Sequence, residues 1–146
     1  MADAPQSYEH HTQIVPMFHI VTFGLFVVTL IGSLVNLYQS VGDHSRLYSA
    51  ALLVALIVGT IFTFFLARVF ALKAQDRAIR AEEQLRHFVM TGTLLDSRLT
   101  IRQIIGLRFA SDGEFVALAK TAAEQGLSER DIKKAVKAWR ADTYRV

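Results

Sequence analysis

The chain has 146 residues, of which 52% are hydrophobic and 20% are charged. It contains no cysteine, which excludes disulfides, thiolate metal sites and a cysteine nucleophile. Its net charge of +3 is unevenly distributed. The residues before Arg68 carry a net charge of −2 (Asp3, Glu9 and Asp43 against Arg46), whereas fifteen Lys and Arg oppose ten Asp and Glu from Arg68 onward, a net charge of +5. A soluble domain gives each helix a polar face, so this segregation favours a membrane protein.

Two apolar runs, residues 14–37 and 48–67, contain no Asp, Glu, Lys or Arg. A helix rises ~1.5 Å per residue, so each run can cross a hydrocarbon core of ~30 Å. Neither run alternates with period two, which favours helices over barrel strands. Residues 38–46 between them contain turn-forming residues, so the sequence predicts a two-helix transmembrane hairpin over residues 14–67. The first run lacks the basic flank and short core of a signal peptide and is expected to remain uncleaved.

Lys and Arg near the ends of the runs predict the orientation of the hairpin. The connecting loop has only Arg46, whereas five basic residues follow the second run: Arg68, Lys73, Arg77, Arg80 and Arg86. Positive residues stay on the cytoplasmic side, so both chain termini are expected in the cytoplasm. Residues 1–13 then form a cytoplasmic N-terminal segment.

The second half of the chain is predicted to be helical and cytoplasmic. Residues 68–90 favour continuation of the second helix beyond the membrane, because no helix breaker precedes Gly92. A ragged apolar stripe in this extension gives weak support to a coiled coil; it consists of Leu72, Ile79, Leu85, Phe88 and Val89. Residues 91–146 form a small helical domain, so the fold class is an all-α membrane protein.

Three capping patterns predict the helices of that domain. Thr100 with Gln103 opens a helix from Ile101 to about Ala110. Ser111 with Glu114 opens a second helix to Gln125, ended by Gly126 in the left-handed conformation. Ser128 with Asp131 opens the last helix, to about Asp142. Apolar residues at helical spacing are expected to form a core with one another or with the long helix.

Small residues on the predicted spans form a candidate packing or partner interface. Five of them recur every four residues on the second span and therefore share one helix face; with two glycines of the first span, they are Ala51, Ala55, Gly59, Thr63, Ala67, Gly24 and Gly32. Small residues let another helix approach closely in lipid. The face can receive the hairpin's own first helix or a different protein.

Polar residues at the predicted cytoplasmic interface form a candidate cluster of His11, His19, Arg68 and Asp76. A histidine inside a span is a functional candidate because its burial is costly without a partner. A haem or metal role is one interpretation, and contact with water or lipid headgroups is another. We expect no cofactor and no metal.

A second candidate set is basic: Lys133, Lys134, Lys137 and Arg140. These residues can face nucleic acid, anionic lipid, a partner or only water, with Trp139 in a small core. Neighbouring acidic residues and the lack of an aromatic platform argue against nucleic acid. Lysines that face water around a small Trp139 core are the favoured interpretation, and a lipid- or partner-facing surface is the functional candidate.

No catalytic constellation is present in the sequence. It has no glycine-rich phosphate loop, no paired-histidine zinc spacing and no nucleophile elbow. The apolar runs hold no carboxylate for an intramembrane protease or proton relay. The expectation is that the protein is not an enzyme.

The chain resembles a family of short bacterial two-span membrane proteins known only as a domain of unknown function. The resemblance covers nearly the whole chain and is carried by residues 67–77, 107–112 and 131–139 and by His11, Pro16 and His19. This chain departs from the family in having His10 where asparagine is common, and Gly113 before Glu114. The resemblance implies two spans and a bacterial inner membrane, and it implies no activity.

Three functions are compatible with these features. The leading hypothesis is a non-catalytic accessory or scaffold subunit, whose partners are other membrane subunits or further copies of itself. An alternative is a homo-oligomeric pore or transport element with Thr29, Ser33, Asn36 and Thr63 along a polar path. A third is an electron-transfer subunit that binds a cofactor through His19.

Overall fold

The computed structural model describes residues 7–8 and 15–142, and every regular element in these ranges is a helix. The elements are a π-helical segment, Met17–Thr22, followed by α1 (Phe23–Gln39), α2 (His44–Thr91), α3 (Ile101–Leu107), α4 (Asp112–Gln125) and α5 (Glu129–Ala135). An isolated antiparallel bridge also joins Ala110 and Trp139. The expected all-helical class is confirmed for this part of the chain.

The described residues divide into two compact units, one of residues 15–70 and one of residues 71–142 together with residues 7–8. In the first unit, Met17–Gln39 and α2 are both long and apolar enough to cross a membrane. Their most apolar windows are 0% and 6% buried, so neither is the buried core helix of a soluble domain. Large apolar side chains such as Leu25, Val28 and Phe62 are exposed.

A short turn connects α1 to α2. Gly42 has a φ of 101°, a conformation that glycine adopts without steric cost. The Asp43 carboxylate accepts hydrogen bonds from the backbone N–H groups of Ser45 and Arg46 at 3.1 and 3.3 Å. These N–H groups have no partner within the helix, so Asp43 fixes the start of α2 earlier than the apolar run at residue 48 suggested.

Helix α2 continues without interruption for 48 residues and ends before Gly92, which has a φ of 73°. The predicted continuation of the second helix beyond its apolar run is therefore confirmed. Its final turns belong to the second unit, where Ile79 is 6% exposed and joins the core.

The core of the second unit combines this face of α2 with the three short helices. Its most deeply buried large side chains include Ile104, Leu107, Phe115 and Ile132. Trp139 and Leu118 are partly buried against the same cluster. The Gln103 side-chain amide also joins two elements, because it donates to the Leu127 carbonyl oxygen at 2.9 Å.

Two of the three predicted capping patterns form. Thr100 and Gln103 make a complete capping box at the start of α3, and the Ser128 hydroxyl accepts from the Asp131 N–H at the start of α5. Gly126 ends α4 in the left-handed conformation, as predicted. The Ser111–Glu114 box is wrong, since the Ser111 side chain makes no capping hydrogen bond.

Glu114 instead explains why the last helix is much shorter than predicted. Its two carboxylate oxygens accept from the backbone N–H groups of Lys137 and Ala138, at 3.1 and 3.0 Å. Helix α5 ends at Ala135, and the following residues pair with the chain after α3: the Arg140 N–H donates to the Phe109 carbonyl at 2.7 Å. Helix α3 likewise ends at Leu107, short of the predicted Ala110.

Gly106 lies on α3 in close contact with α5. A Cβ atom added there would lie 3.2 Å from the Glu129 carbonyl oxygen and 3.2 Å from a methyl group of Ile132. Gly106→Ala is therefore expected to lower the free energy of unfolding of this unit by about 1–3 kcal/mol. The matched control is Gly113→Ala, because nothing lies within 4 Å of its added Cβ.

Trp139, the only tryptophan, reports on this unit because its ring lies 5.0 Å from that of Phe109. Denaturant titration of the full chain in detergent, followed by tryptophan fluorescence, measures both variants. An unchanged midpoint for Gly106→Ala would contradict the close approach of α3 and α5.

Candidate functional site: an interhelical groove

The first unit contains a groove between α1 and α2. One pocket of about 450 Å³ is lined from α1 by Gly32, Ser33 and neighbouring polar residues, and from α2 by three larger apolar residues and Thr60. The full lining is Thr29, Gly32, Ser33, Asn36, Leu53, Leu56, Ile57 and Thr60. The two helices therefore leave room between them over this stretch.

A second pocket of about 550 Å³ shares Leu56 and Thr60 with the first. Its remaining lining residues are Phe26, Ala55, Gly59, Thr63 and Phe64. Cβ atoms added at Gly24, Gly32 or Gly59 would meet no atom within 4 Å among the described residues. These glycines are consequently open to a further helix or to lipid.

The seven predicted packing residues are only partly brought together. Gly32 lines the first pocket, and Ala55, Gly59 and Thr63 line the second. Gly24, Ala51 and Ala67 line neither of these two pockets. Their assignment as a packing or partner interface stays a prediction.

Hydroxyl groups in the groove donate to their own helices. The Ser33 hydroxyl donates to the Leu30 carbonyl, Thr60 to Leu56 and Thr63 to Gly59, at 2.8, 2.8 and 2.9 Å. A hydroxyl that is satisfied this way presents mainly its methyl or methylene group to a neighbour. The walls of the groove are therefore suited to an apolar surface.

Aromatic residues of the π-helical segment and of α1 contact Phe64 of α2 in the first unit. Phe18 stacks on Phe64 with ring centroids 4.5 Å apart, and Phe26 meets the same ring edge-on at 5.1 Å. Arg68 lies over the Phe18 ring at 5.2 Å, a cation–π contact. This cluster was not predicted, because contacts between helices leave no periodic signal within either one.

The predicted polar cluster has a mixed outcome. His19 is exposed, and its Nδ1 lies 3.1 Å from both the backbone nitrogen and the carbonyl oxygen of Val15. Arg68 contacts Phe18 as described above, and Asp76 belongs to the second unit. His11 lies outside the described residues. Within the described ranges, no group of three or more His, Cys, Asp or Glu side chains could hold a metal ion.

The four predicted basic residues do not share one helix, because α5 ends at Ala135. The Lys133 ammonium is paired with Glu129 at 2.7 Å, and its side chain is only 13% exposed. Lys134 lies 5.7 Å from the centre of the Tyr8 ring. Arg140 pairs with Glu83 at 3.6 Å and remains about half exposed. A surface facing lipid or a partner stays a prediction, and Lys133 contributes little exposed charge to it.

An ionic cluster in the second unit was missed by sequence reasoning; its Arg86–Glu83 pair is largely buried, and the Asp112 side chain is 77% exposed. The Arg86 guanidinium pairs with Glu83 at 3.0 Å and with Asp112 at 2.6 Å, and it donates to the Ala110 carbonyl at 2.8 Å. It also lies 4.2 Å above the Phe115 ring. The i,i+3 spacing of Glu83 and Arg86 is the only local signal, since Asp112 is 26 residues away.

Two loop carboxylates outside the apolar runs, Asp43 and Asp96, have lowered pKa values. The Arg98 side chain, which donates to Asp96, lowers the pKa of Asp96 to about 2 and has its own pKa raised in return. The Ser45 hydroxyl and the backbone N–H of Arg46 lower the pKa of Asp43. Both carboxylates are held ionised as parts of turns, so neither is suited to acid–base chemistry near neutral pH.

The fold and its groove define an all-helical protein with two helices long and apolar enough to span a membrane. A family model described as "Family of unknown function (DUF6526)" matches residues 1–146. The chain belongs to that family, which confirms the resemblance to a domain of unknown function. No curated protein and no solved structure matches the chain.

The ionic cluster gives a direct test of how α2 is attached to α4. Arg86→Met is expected to lower the free energy of unfolding of the second unit by about 3 kcal/mol, because Glu83 is left buried without its main partner. Arg80→Met is the matched control, since Arg80 is an exposed residue of the same helix. Trp139 fluorescence during denaturant titration measures both, and equal midpoints would contradict a stabilising role for the cluster.

Proposed function

We propose that this protein is a non-catalytic accessory or scaffold subunit of a larger bacterial inner-membrane complex. In this proposal α1 and the apolar part of α2 cross the membrane as a hairpin, and the groove between them receives a transmembrane helix of a partner subunit. The observation that carries the proposal is the groove itself, with its open glycines and its two pockets of about 450 and 550 Å³.

Insertion in a membrane is supported by the exposed apolar surface of the first unit. Val28 is 70% exposed and Leu25 63%. Soluble proteins rarely leave apolar patches of this extent in contact with water. In a bilayer, lipid hydrocarbon chains contact such surfaces, so no other protein has to cover them.

An apolar helix fits the groove better than a water path does. Helix association in lipid depends on van der Waals packing, which small residues such as Gly32 and Gly59 strengthen by allowing close approach. The hydroxyls of Ser33, Thr60 and Thr63 already donate to their own helices, so an apolar neighbour leaves these three donors satisfied. Asn36 lines one pocket and makes no side-chain hydrogen bond within the described chain, so its amide is available to a polar group of the partner.

A homo-oligomeric pore is the competing function. One observation favours it, because Thr29, Ser33 and Asn36 line the same pocket. A pore needs several copies around an axis, whereas an accessory subunit needs a different protein at fixed ratio. The mass of the native particle therefore separates the two.

The first test is topology. The chain lacks cysteine, so Val41→Cys in the turn and Lys120→Cys on α4 each introduce a single thiol at an exposed position. In intact spheroplasts, a membrane-impermeant maleimide is expected to label the Val41→Cys protein alone. Labelling of the Lys120→Cys protein before permeabilisation would overturn the cytoplasmic placement of the helical domain.

The second test is the groove. Gly59→Leu fills it and is expected to reduce the amount of co-purifying partner by about tenfold, since loss of 1.4 kcal/mol of packing is a factor of ten in affinity. Gly24→Leu is the matched control, because Gly24 is equally open but lies outside both pockets. The measurement is native mass and subunit composition after gentle detergent extraction from the source membrane.

Three results of that measurement are decisive. Different proteins at fixed ratio, lost in Gly59→Leu and kept in Gly24→Leu, support the proposal. A particle built only from several copies of this chain contradicts the accessory role and favours the pore. A partner retained equally in both variants contradicts docking in the groove.

A further inference from the structure

The part of α2 in the second unit has one face in the core and an opposite face that no described residue covers. Ile79 is 6% exposed and Glu83 4%, so these residues mark the covered face. On the other side, Leu85 is 63% exposed and Phe88 50%. Large apolar side chains on a helix that carries many charges indicate a surface for another molecule.

The exposed face has the spacing of a coiled coil. Its members lie alternately three and four residues apart. We call this face the α2 seam, and it consists of Ala71, Ala74, Ala78, Ala81, Leu85 and Phe88. Such alternation gives the a and d positions of about two and a half heptads. All six residues are exposed or only half-buried. Four alanines in succession allow a second helix to approach to about 8 Å, the close end of the usual range.

Charges beside the seam indicate what the second helix is. Ala78 is an a position, so Arg77 just before it is a g position. Ala81 is a d position, so Glu82 just after it is an e position, five residues beyond Arg77. In a parallel pair of identical helices, g of one helix lies against e of the next heptad on the other. Arg77 of each copy would therefore face Glu82 of the other, twice in a symmetric dimer. Both side chains are exposed, and neither forms an ion pair within the described residues.

We propose that the α2 seam binds the same seam of a second copy of this chain, in parallel and in register. The parallel direction rests on the membrane insertion of the proposed function, because two copies anchored in one bilayer must present α2 in the same direction. Anchoring also raises the effective concentration of the seams, which a contact this short requires. In an antiparallel pair, Arg77 and Glu82 would lie on opposite sides of the contact.

The interpretation of this segment from sequence used a different face. It grouped Leu72 and Ile79 with Leu85, whereas Ile79 lies in the core of the second unit. The exposed seam is built mainly of alanine, which contributes little to a hydrophobicity pattern. Its coiled-coil spacing becomes evident only when the covered face is known.

Cysteine cross-linking in native membranes tests the dimer with the full chain. Ala74→Cys is expected to shift most of the protein to a disulfide-linked dimer under mild oxidation, because identical d positions face each other in a parallel pair. Ala117→Cys is the matched control: the same substitution at an exposed position of the same unit, on α4. Equal cross-linking of the two variants would overturn the proposal.

Charge reversal tests the register. In the Ala74→Cys background, Arg77→Glu places like charges against each other and is expected to abolish the dimer, and adding Glu82→Arg is expected to restore it. A dimer that persists in the single reversal overturns the pairing. A further experiment places Ala78→Cys and Ala81→Cys copies in the same membrane. A disulfide between these two variants, together with no dimer of the Ala74→Cys protein, would overturn the parallel direction.

Failure here and failure of the accessory role are distinguishable. A native particle that contains one copy of this chain and other proteins would refute dimerisation through the α2 seam and support the accessory role. A cross-linked dimer without any other protein in the native particle would keep the seam and refute the accessory role.

Discussion

Arg86 holds the end of α2 against the start of α4, and the arrangement of the second unit depends on that contact. Its guanidinium binds Glu83 and Asp112 and covers the Phe115 ring, so one side chain joins charge pairing to the apolar core. The planar guanidinium allows both at once, which a lysine ammonium does not. Because Glu83 is 4% exposed, the pair also fixes which face of α2 turns inward.

Once that face is fixed, the opposite face of α2 has no further role in the core. It exposes alanines followed by Leu85 and Phe88, with Arg77 and Glu82 on its two sides. A helix used only to support a domain would carry polar residues there. The proposed contact with a second copy accounts for the composition of this face, which the stability of the unit does not require.

Local features of the chain were predictable, and contacts between distant residues were not. The Thr100–Gln103 box, the Ser128 cap and Gly126 depend on residues at most four apart, so they could be identified from spacing. The end of α5 depends on the Glu114 carboxylate, which accepts from the backbone N–H group of Lys137, 23 residues later in the chain. The open glycines of the groove were identified as small residues, but only the structure shows that no described atom approaches them.

The two proposed contacts differ in the force that selects the partner. In the proposal, the groove between α1 and α2 selects by shape, because the hydroxyls of Ser33, Thr60 and Thr63 are satisfied and its walls offer mainly van der Waals contact. The α2 seam selects by charge, since alanines pack on any small-residue helix and only the flanking Arg77 and Glu82 distinguish a parallel copy. Exposed ion pairs are screened by salt, whereas packing in hydrocarbon is not. If both proposed contacts form, higher ionic strength weakens self-association of the seam and leaves a helix bound in the groove, so the two contacts respond separately to salt.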